Sequence, residues 1–453
     1  MRLHLHNILH TILRGTAILS ATLALSFCDG KDPDIGINDG GEGVKYTSHG
    51  NRKPTAENRR VLLFYECGFN SLYDYLQANM EVDLPKGTIP GNGRHDDVLL
   101  VFSKLAANLN YKDVPSYLRR LYTNQDGELV SDTLKTYSPS TVASSGETMR
   151  DVLNFVRESF PAKGYGMVYA SHGSGWLPNG YYNNPSAYER KNRSGSRNLS
   201  KAGKYLDIPE GSMETDDPYA FMVRSIGQDK MSSGDKEMST YEFADGIPFH
   251  LDYILFDMCF SGGIEVAYAL KDKADYLGIS PAEVLAAGMY DYEAIISYLF
   301  HDGSTDLTGL YKDSFDRYDK RSGDYRSSTV TLLKTEGLDE VATVCADLIS
   351  KYSGNIANAP ASQIQGYFRQ NRHYFYDLVD IFGKSGVPDE ALSPLRSALD
   401  RCIVYKAATP SFISSFQIKT YSGVSMYLPC AGTALLDASY KDEPWNKAVN
   451  LVK

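Results

Sequence analysis

The chain has 453 residues, 42% hydrophobic and 23% charged, values of an ordinary globular protein that exclude global disorder and collagen-like repeats. Its 46 Lys and Arg against 56 Asp and Glu leave a formal net charge of −10, so nucleic acid, which demands a positive footprint, is excluded as a main partner. The 33 Tyr suit grooves that are partly wet, because each ring has an apolar body and a polar tip.

Residues 1–27 contain Arg2 and Arg14 and no acidic residue, and 15–27 is a largely apolar run. That run is too short to span a bilayer as a helix and fits the apolar centre of an export signal. It ends in Leu25-Ser26-Phe27-Cys28, which resembles a bacterial lipobox, with Phe27 where a small residue is usual. The expectation is export to the bacterial cell envelope, at the outer membrane or surface, with the membrane reached through a lipid on Cys28. Cys67, Cys259, Cys345, Cys402 and Cys430 then remain. They form no C-x-x-C pair or zinc pattern, and an odd number leaves at least one thiol free. Residues 28–59, polar and rich in Gly, read as a flexible tether.

The folded body starts near 60. Apolar runs at 61–65, 98–102, 165–170, 251–256 and 276–279 read as buried strands. Residues 148–160 place Met149, Val152, Leu153, Val156 and Phe160 at helical spacing, with Ser144 and Glu147 as a capping box. Strands alternating with helices predict an α/β fold with a largely parallel, doubly covered sheet over 60–300. Residues 179–203 lack apolar periodicity and carry Arg190, Lys191, Arg193, Arg197 and Lys201, a long basic loop of the kind that is usually functional. Residues 301–453 read as mainly helical, with helices expected at 341–352, 374–382 and 392–404 and a strand returning near 422–428.

Two constellations carry candidate chemistry. In the first, a strand runs into Ser171-His172-Gly173; in the second, a strand runs into Asp257-Met258-Cys259, followed by Gly262 and Gly263. Reactive groups in open α/β sheets gather at the carboxyl ends of strands. A Cys before a helix start is biased towards thiolate. An imidazole beside it completes activation and protonates the leaving amine. The N–H groups of Gly173 and Cys259 would form the oxyanion hole.

These stretches resemble the clostripain family of cysteine peptidases, relatives of gingipains, legumains and caspases. Further stretches match in order: 61–65 with 70–76, 149–161, 264–276 and 421–429. The resemblance covers roughly 60–430. It implies a caspase-like fold, no required cofactor, and hydrolysis of peptide bonds in protein or peptide substrates through a thioester. It assigns His172 and Cys259 as the dyad and Gly173 to the oxyanion position. Asp257 falls on an acidic position of the specificity pocket. Ala287 stands where members that cleave after Arg or Lys carry an Asp, which predicts weaker selection for a basic residue. A loop after the His segment is cut during maturation in the family, which points to 179–203 here.

The sequence has no G-x-S-x-G elbow, H-E-x-x-H helix or phosphate loop. Cys67 reads as a structural thiol, no metal ligands stand out, and Asp216, Asp217 and Asp229 form only a weak calcium pattern. The alternative from another class is a catalytically idle surface protein that holds peptide or glycan in the same cleft.

Overall fold

The computed structural model describes residues 59–106, 112–179, 181, 226–301, 304–368 and 374–453. Cys28, the export signal, the tether apart from Arg59 and, apart from Asn179 and Tyr181, the loop 179–203 lie outside these residues, as do Asp216 and Asp217.

The strands in chain order begin with β1 (Arg60–Gly68), β2 (Val98–Leu105), β3 (Ser116–Thr123), β4 (Leu129–Tyr137) and β5 (Gly164–Ala170). A hairpin follows, β6 (Ile226–Met231) with β7 (Gly234–Met238), then β8 (Leu251–Asp257), β9 (Ala274–Ile279) and β10 (Thr329–Lys334). The last are β11 (Tyr376–Asp377), β12 (Ile403–Ala408), β13 (Ser411–Phe412), β14 (Phe416–Gln417) and β15 (Ser425–Met426). A nine-stranded sheet has the order β12-β10-β9-β8-β5-β1-β2-β3-β4. Its centre, β9 through β2, is parallel, and antiparallel strands extend it on both sides.

The central strands are continuous apolar runs because helices cover both faces. On one face, Tyr65 and Tyr169 stack at 5.6 Å, and Phe243 of helix Thr240–Gly246 meets Tyr169 edge-on at 4.9 Å. Helix Gly146–Ser159 lies beside it, and helix Ile264–Ala269 packs against Leu338–Ala357. On the opposite face, Leu62, Phe64, Val168 and Leu255 form a core with Tyr292, Ile295 and Leu310. Burying each such side chain stabilises the fold by about 1.5–3 kcal/mol.

The expected α/β sheet is present, and all five expected strands fall within β1, β2, β5, β8 and β9. The region after 300 is mainly helical and also supplies β10 and β12 to the sheet, which the pattern did not reveal. The expected cap of helix Gly146–Ser159 is off by one residue: Ser145 Oγ accepts the Thr148 N–H at 3.2 Å, while Ser144 Oγ donates to the Lys236 carbonyl. Ser239 and Glu242 form a reciprocal capping box on helix Thr240–Gly246.

Candidate active site

β5 and β8 are parallel neighbours in a register that sets Ala170 opposite Asp257. His172 and Cys259 each stand two residues beyond that pair, at the carboxyl end of the sheet, and both line one cleft. The two loops touch. A Cβ on Gly173 would lie 2.2 Å from Met258 Cγ and 2.7 Å from the Cys259 carbonyl oxygen, so only glycine allows this approach. The His172 carbonyl accepts the Gly227 N–H at 2.9 Å, and Gly173 bridges to Ile226. The His loop is thus held by the first strand after the basic segment.

His172 is almost fully buried, at 1% exposure. Its Nε2 lies 2.9 Å from Ser71 Oγ. Ser71 is placed by its neighbour: Asn70 Nδ2 donates to the carbonyls of Cys67 and Gln228, and Asn70 Oδ1 accepts the Leu72 N–H. This serine is a candidate site residue that the motifs did not single out, because its partner is distant in sequence.

Cys259 is half-buried. Its Sγ accepts the Val284 N–H at 3.2 Å. The expected help from a helix N-terminus is not there: Phe260 through Gly263 separate Cys259 from helix Ile264–Ala269. The backbone of Val284 meets the sulfur instead, its N–H donating to Sγ and its carbonyl accepting from the thiol at 3.6 Å. Phe260 adopts a left-handed φ of 54°, a conformation that costs a non-glycine residue about 1 kcal/mol or more. Its ring stacks on Phe375 at 4.3 Å, and its N–H donates to the Ala282 carbonyl, which holds the turn. Gly262 is tied on both sides, its N–H to the Ser280 carbonyl and its carbonyl to the Ser425 N–H.

Asp257 lies below the dyad positions and is 7% exposed. It accepts the Met289 N–H and the Tyr292 hydroxyl, both at 2.7 Å. Burial pushes its carboxyl above the ordinary range, against those two bonds and the charge of Arg317. Gly288, at φ +85°, leaves the carboxylate room, since a Cβ there would sit 2.6 Å from Asp257 Oδ2. Ala287 is half-buried, and its neighbours Ala286 and Gly288 face the cleft. Leu72, Leu76 and Ile413 complete its apolar rim.

Cys67 is fully buried on the other side of the sheet, where Tyr169 donates to its Sγ at 3.5 Å and burial pushes its thiol up. Among the described residues all five cysteines are free. Asp229 faces inward and accepts the N–H groups of Ala143 and Ser144, and burial pushes it up to about 6. Its carboxylate ties a helix entry. No group of three metal-binding side chains occurs among the described residues.

The sequence profile of the clostripain family matches residues 210–431. No curated protein matches the chain. Among solved structures, an inactive zymogen C11 protease from Parabacteroides distasonis is 25% identical, with a TM-score of 0.66 over 88% of this chain and 99% of its own. A secreted C11 cysteine protease from Bacteroides thetaiotaomicron, solved with an irreversible peptide inhibitor, is 21% identical, with a TM-score of 0.65 over 87% and 99% of the two chains. A second structure of a secreted C11 protease from that organism, iotapain, is 23% identical, with the same score over 87% and 100%. The fold is the caspase-like α/β fold of cysteine-type peptidases. Within that class, residues 210–431 carry the profile of the clostripain family, and the chain is similar to C11 proteases over most of its length.

Proposed function

We propose that this peptidase uses Cys259 as nucleophile and His172 as general base and acid. The observation that carries the reading is the register of β5 and β8, which brings both side chains to one cleft at the same level. His172 takes the thiol proton, and the Cys259 thiolate attacks the carbonyl carbon of the scissile peptide bond. The N–H groups of Gly173 and Cys259 face the oxyanion as it forms. Collapse breaks the C–N bond, the amine leaves with the proton from His172, and a thioester remains. His172 then deprotonates a water that hydrolyses the thioester.

The same reading includes export, lipid attachment at Cys28, a place on the cell envelope, and activation by a cut within 179–203. It is supported by the short apolar run ending in Cys28 and by the basic, aperiodic character of the loop sequence. That the Parabacteroides distasonis relative was solved as an inactive zymogen is consistent with activation by cleavage. The decisive experiment compares wild type with Cys259→Ala. Wild type is expected to hydrolyse peptides and show new N-termini within 179–203; the variant is expected to do neither while keeping its melting temperature. Retained turnover in the variant removes Cys259 from the mechanism. An intact and fully active wild type removes activation by cleavage.

A further inference from the structure

The tip of the β13–β14 hairpin is built against local preference. Phe412 and Phe416 pair across it and stack at 5.6 Å, and the Ser415 N–H donates to the Phe412 carbonyl at 2.9 Å. The turn between them has a left-handed φ at both central residues, 43° at Ile413 and 47° at Ser414. Such a turn suits Asn and Gly, and a β-branched residue there is a genuine outlier. The turn is held from outside the hairpin: the Ile413 N–H donates to Ser327 Oγ at 2.7 Å, and Ser414 Oγ donates to Asp324 Oδ1 at 2.5 Å. Strain of this kind persists where its surroundings over-determine it, and it clusters at sites that handle ligands.

Ile413 is half-buried and lines the cleft that holds His172 and Cys259. Its side of that cleft follows from the order of the sheet. His172 follows β5 and gives its proton to the leaving amine, so the acyl part of the peptide lies on the other side of Cys259, towards β9 and β10. The loop after β9 supplies Val284 and Ala286 to the cleft. Ser327, which holds Ile413, stands just before β10. The surfaces left open there are apolar. Val284, Ala286 and Ile413 are half-buried, whereas the two acids that line the cleft, Asp257 and Glu283, are each only 7% exposed.

We infer that Ile413 is a specificity-determining residue, which together with Val284 and Ala286 takes an aliphatic side chain of the peptide on the acyl side of the scissile bond. This rests on the dyad reading above. An aliphatic side chain gains by leaving water for that wall, and a polar one leaves its own hydrogen bonds unmade. Ile presents more apolar surface there than the Asn or Gly that the turn itself would favour, and the ties to Ser327 and Asp324 keep it in place.

The test uses the full chain, before and after limited trypsin cleavage and removal of the trypsin, as wild type and Ile413→Asn. Asn suits a left-handed φ, so the variant is expected to keep its melting temperature. An equimolar peptide mixture places Leu, Met, Asn, Gln, Arg or Lys at each of the two positions ahead of the scissile bond, and mass spectrometry reads the relative kcat/KM. Wild type is expected to favour Leu over Asn, which are similar in shape, by about tenfold or more at one of the two positions. Ile413→Asn should bring that ratio below about threefold, while the ratio at the other position and the alkylation of Cys259 by iodoacetamide stay within about twofold. Ile413→Gly, which also suits the turn, should do the same. No aliphatic preference in wild type, its survival in both variants, or an equal loss on all peptides overturns the inference and leaves the dyad standing. A wild type that cleaves none of the peptides sinks the dyad reading, and this inference with it.

Discussion

Ser71 and His172 are 101 residues apart in the chain and 2.9 Å apart in space. The bond engages Nε2 of the ring and so helps to hold the orientation of the imidazole. A neutral hydrogen bond of this kind contributes about 0.5–1.5 kcal/mol. Ser71→Ala should therefore lower kcat by a factor of about 2–10 with little change in KM. Ser71→Thr, which keeps a hydroxyl, should recover most of the loss. Rates of Cys259 alkylation against pH decide the matter: the midpoint moves in Ser71→Ala if the serine positions the imidazole, and stays put if it only fills space.

Gly173 lies where the two loops touch. In Gly173→Ala the new methyl group meets Met258 and, behind it, the Cys259 carbonyl at 2.7 Å. Met258 can move and the carbonyl cannot without shifting the loop. The expected cost is about 1–3 kcal/mol of stability and about a hundredfold in kcat, since a misplacement of an ångström has that effect. Adding Met258→Ala should recover stability and leave activity low. Recovery of both by the second change would show that the side chain alone was the obstacle.

Glu265 gives stability a pH dependence. It is buried between helix Ile264–Ala269 and the C-terminal segment, accepts the Tyr427 N–H at 2.8 Å and the Tyr440 hydroxyl at 2.6 Å, and burial pushes its carboxyl up to about 7 from an ordinary 4.5. The folded chain thus holds this proton more tightly than the unfolded one. Its contribution is fully present below pH 4.5 and is lost as pH rises to about 7, by something on the order of 3 kcal/mol. Glu443, pushed up to about 8 by burial and by Glu265, acts in the same direction. Glu265→Gln, which keeps an acceptor for both donors, should match wild type near pH 4.5 and be more stable at pH 8. Urea midpoints at the two pH values provide the check, and a variant less stable than wild type at pH 8 contradicts the assignment.

Cys28 is expected to carry lipid. Cys28→Ser should move the protein from the membrane fraction to the soluble fraction. Among the described residues no helix is long and apolar enough to cross a membrane. An intact-mass measurement that finds an unmodified N-terminus elsewhere in the chain would refute attachment at Cys28.

The parts of this fold that are legible in the sequence are those where both faces of a strand are covered. Val61–Tyr65 and Leu251–Phe256 lie at the sheet centre and must be apolar throughout, so each stands out as a run. β3 and β4 hide because Arg119, Arg120 and Lys135 interrupt them, and β10 and β12 because they lie among helices. The His172 and Cys259 motifs are visible because each follows a run directly. Ser71 and Glu66 are not, since their meaning depends on which strands become neighbours. Within β1, Glu66 reads only as a polar interruption; the strand register puts it, through Ala170, on the same face of the sheet as Asp257.

The tie between Ser425 and Gly262 has a consequence for the timing of synthesis. The loop that holds Cys259 is braced by a strand more than 160 residues downstream, and Tyr427 and Tyr440 clasp the helix that follows it. A nascent chain that already contains His172 and Cys259 still awaits translation of the segment that braces the Cys259 loop. The unfinished polypeptide therefore lacks the brace on the Cys259 loop, which forms only after Ser425 has been translated.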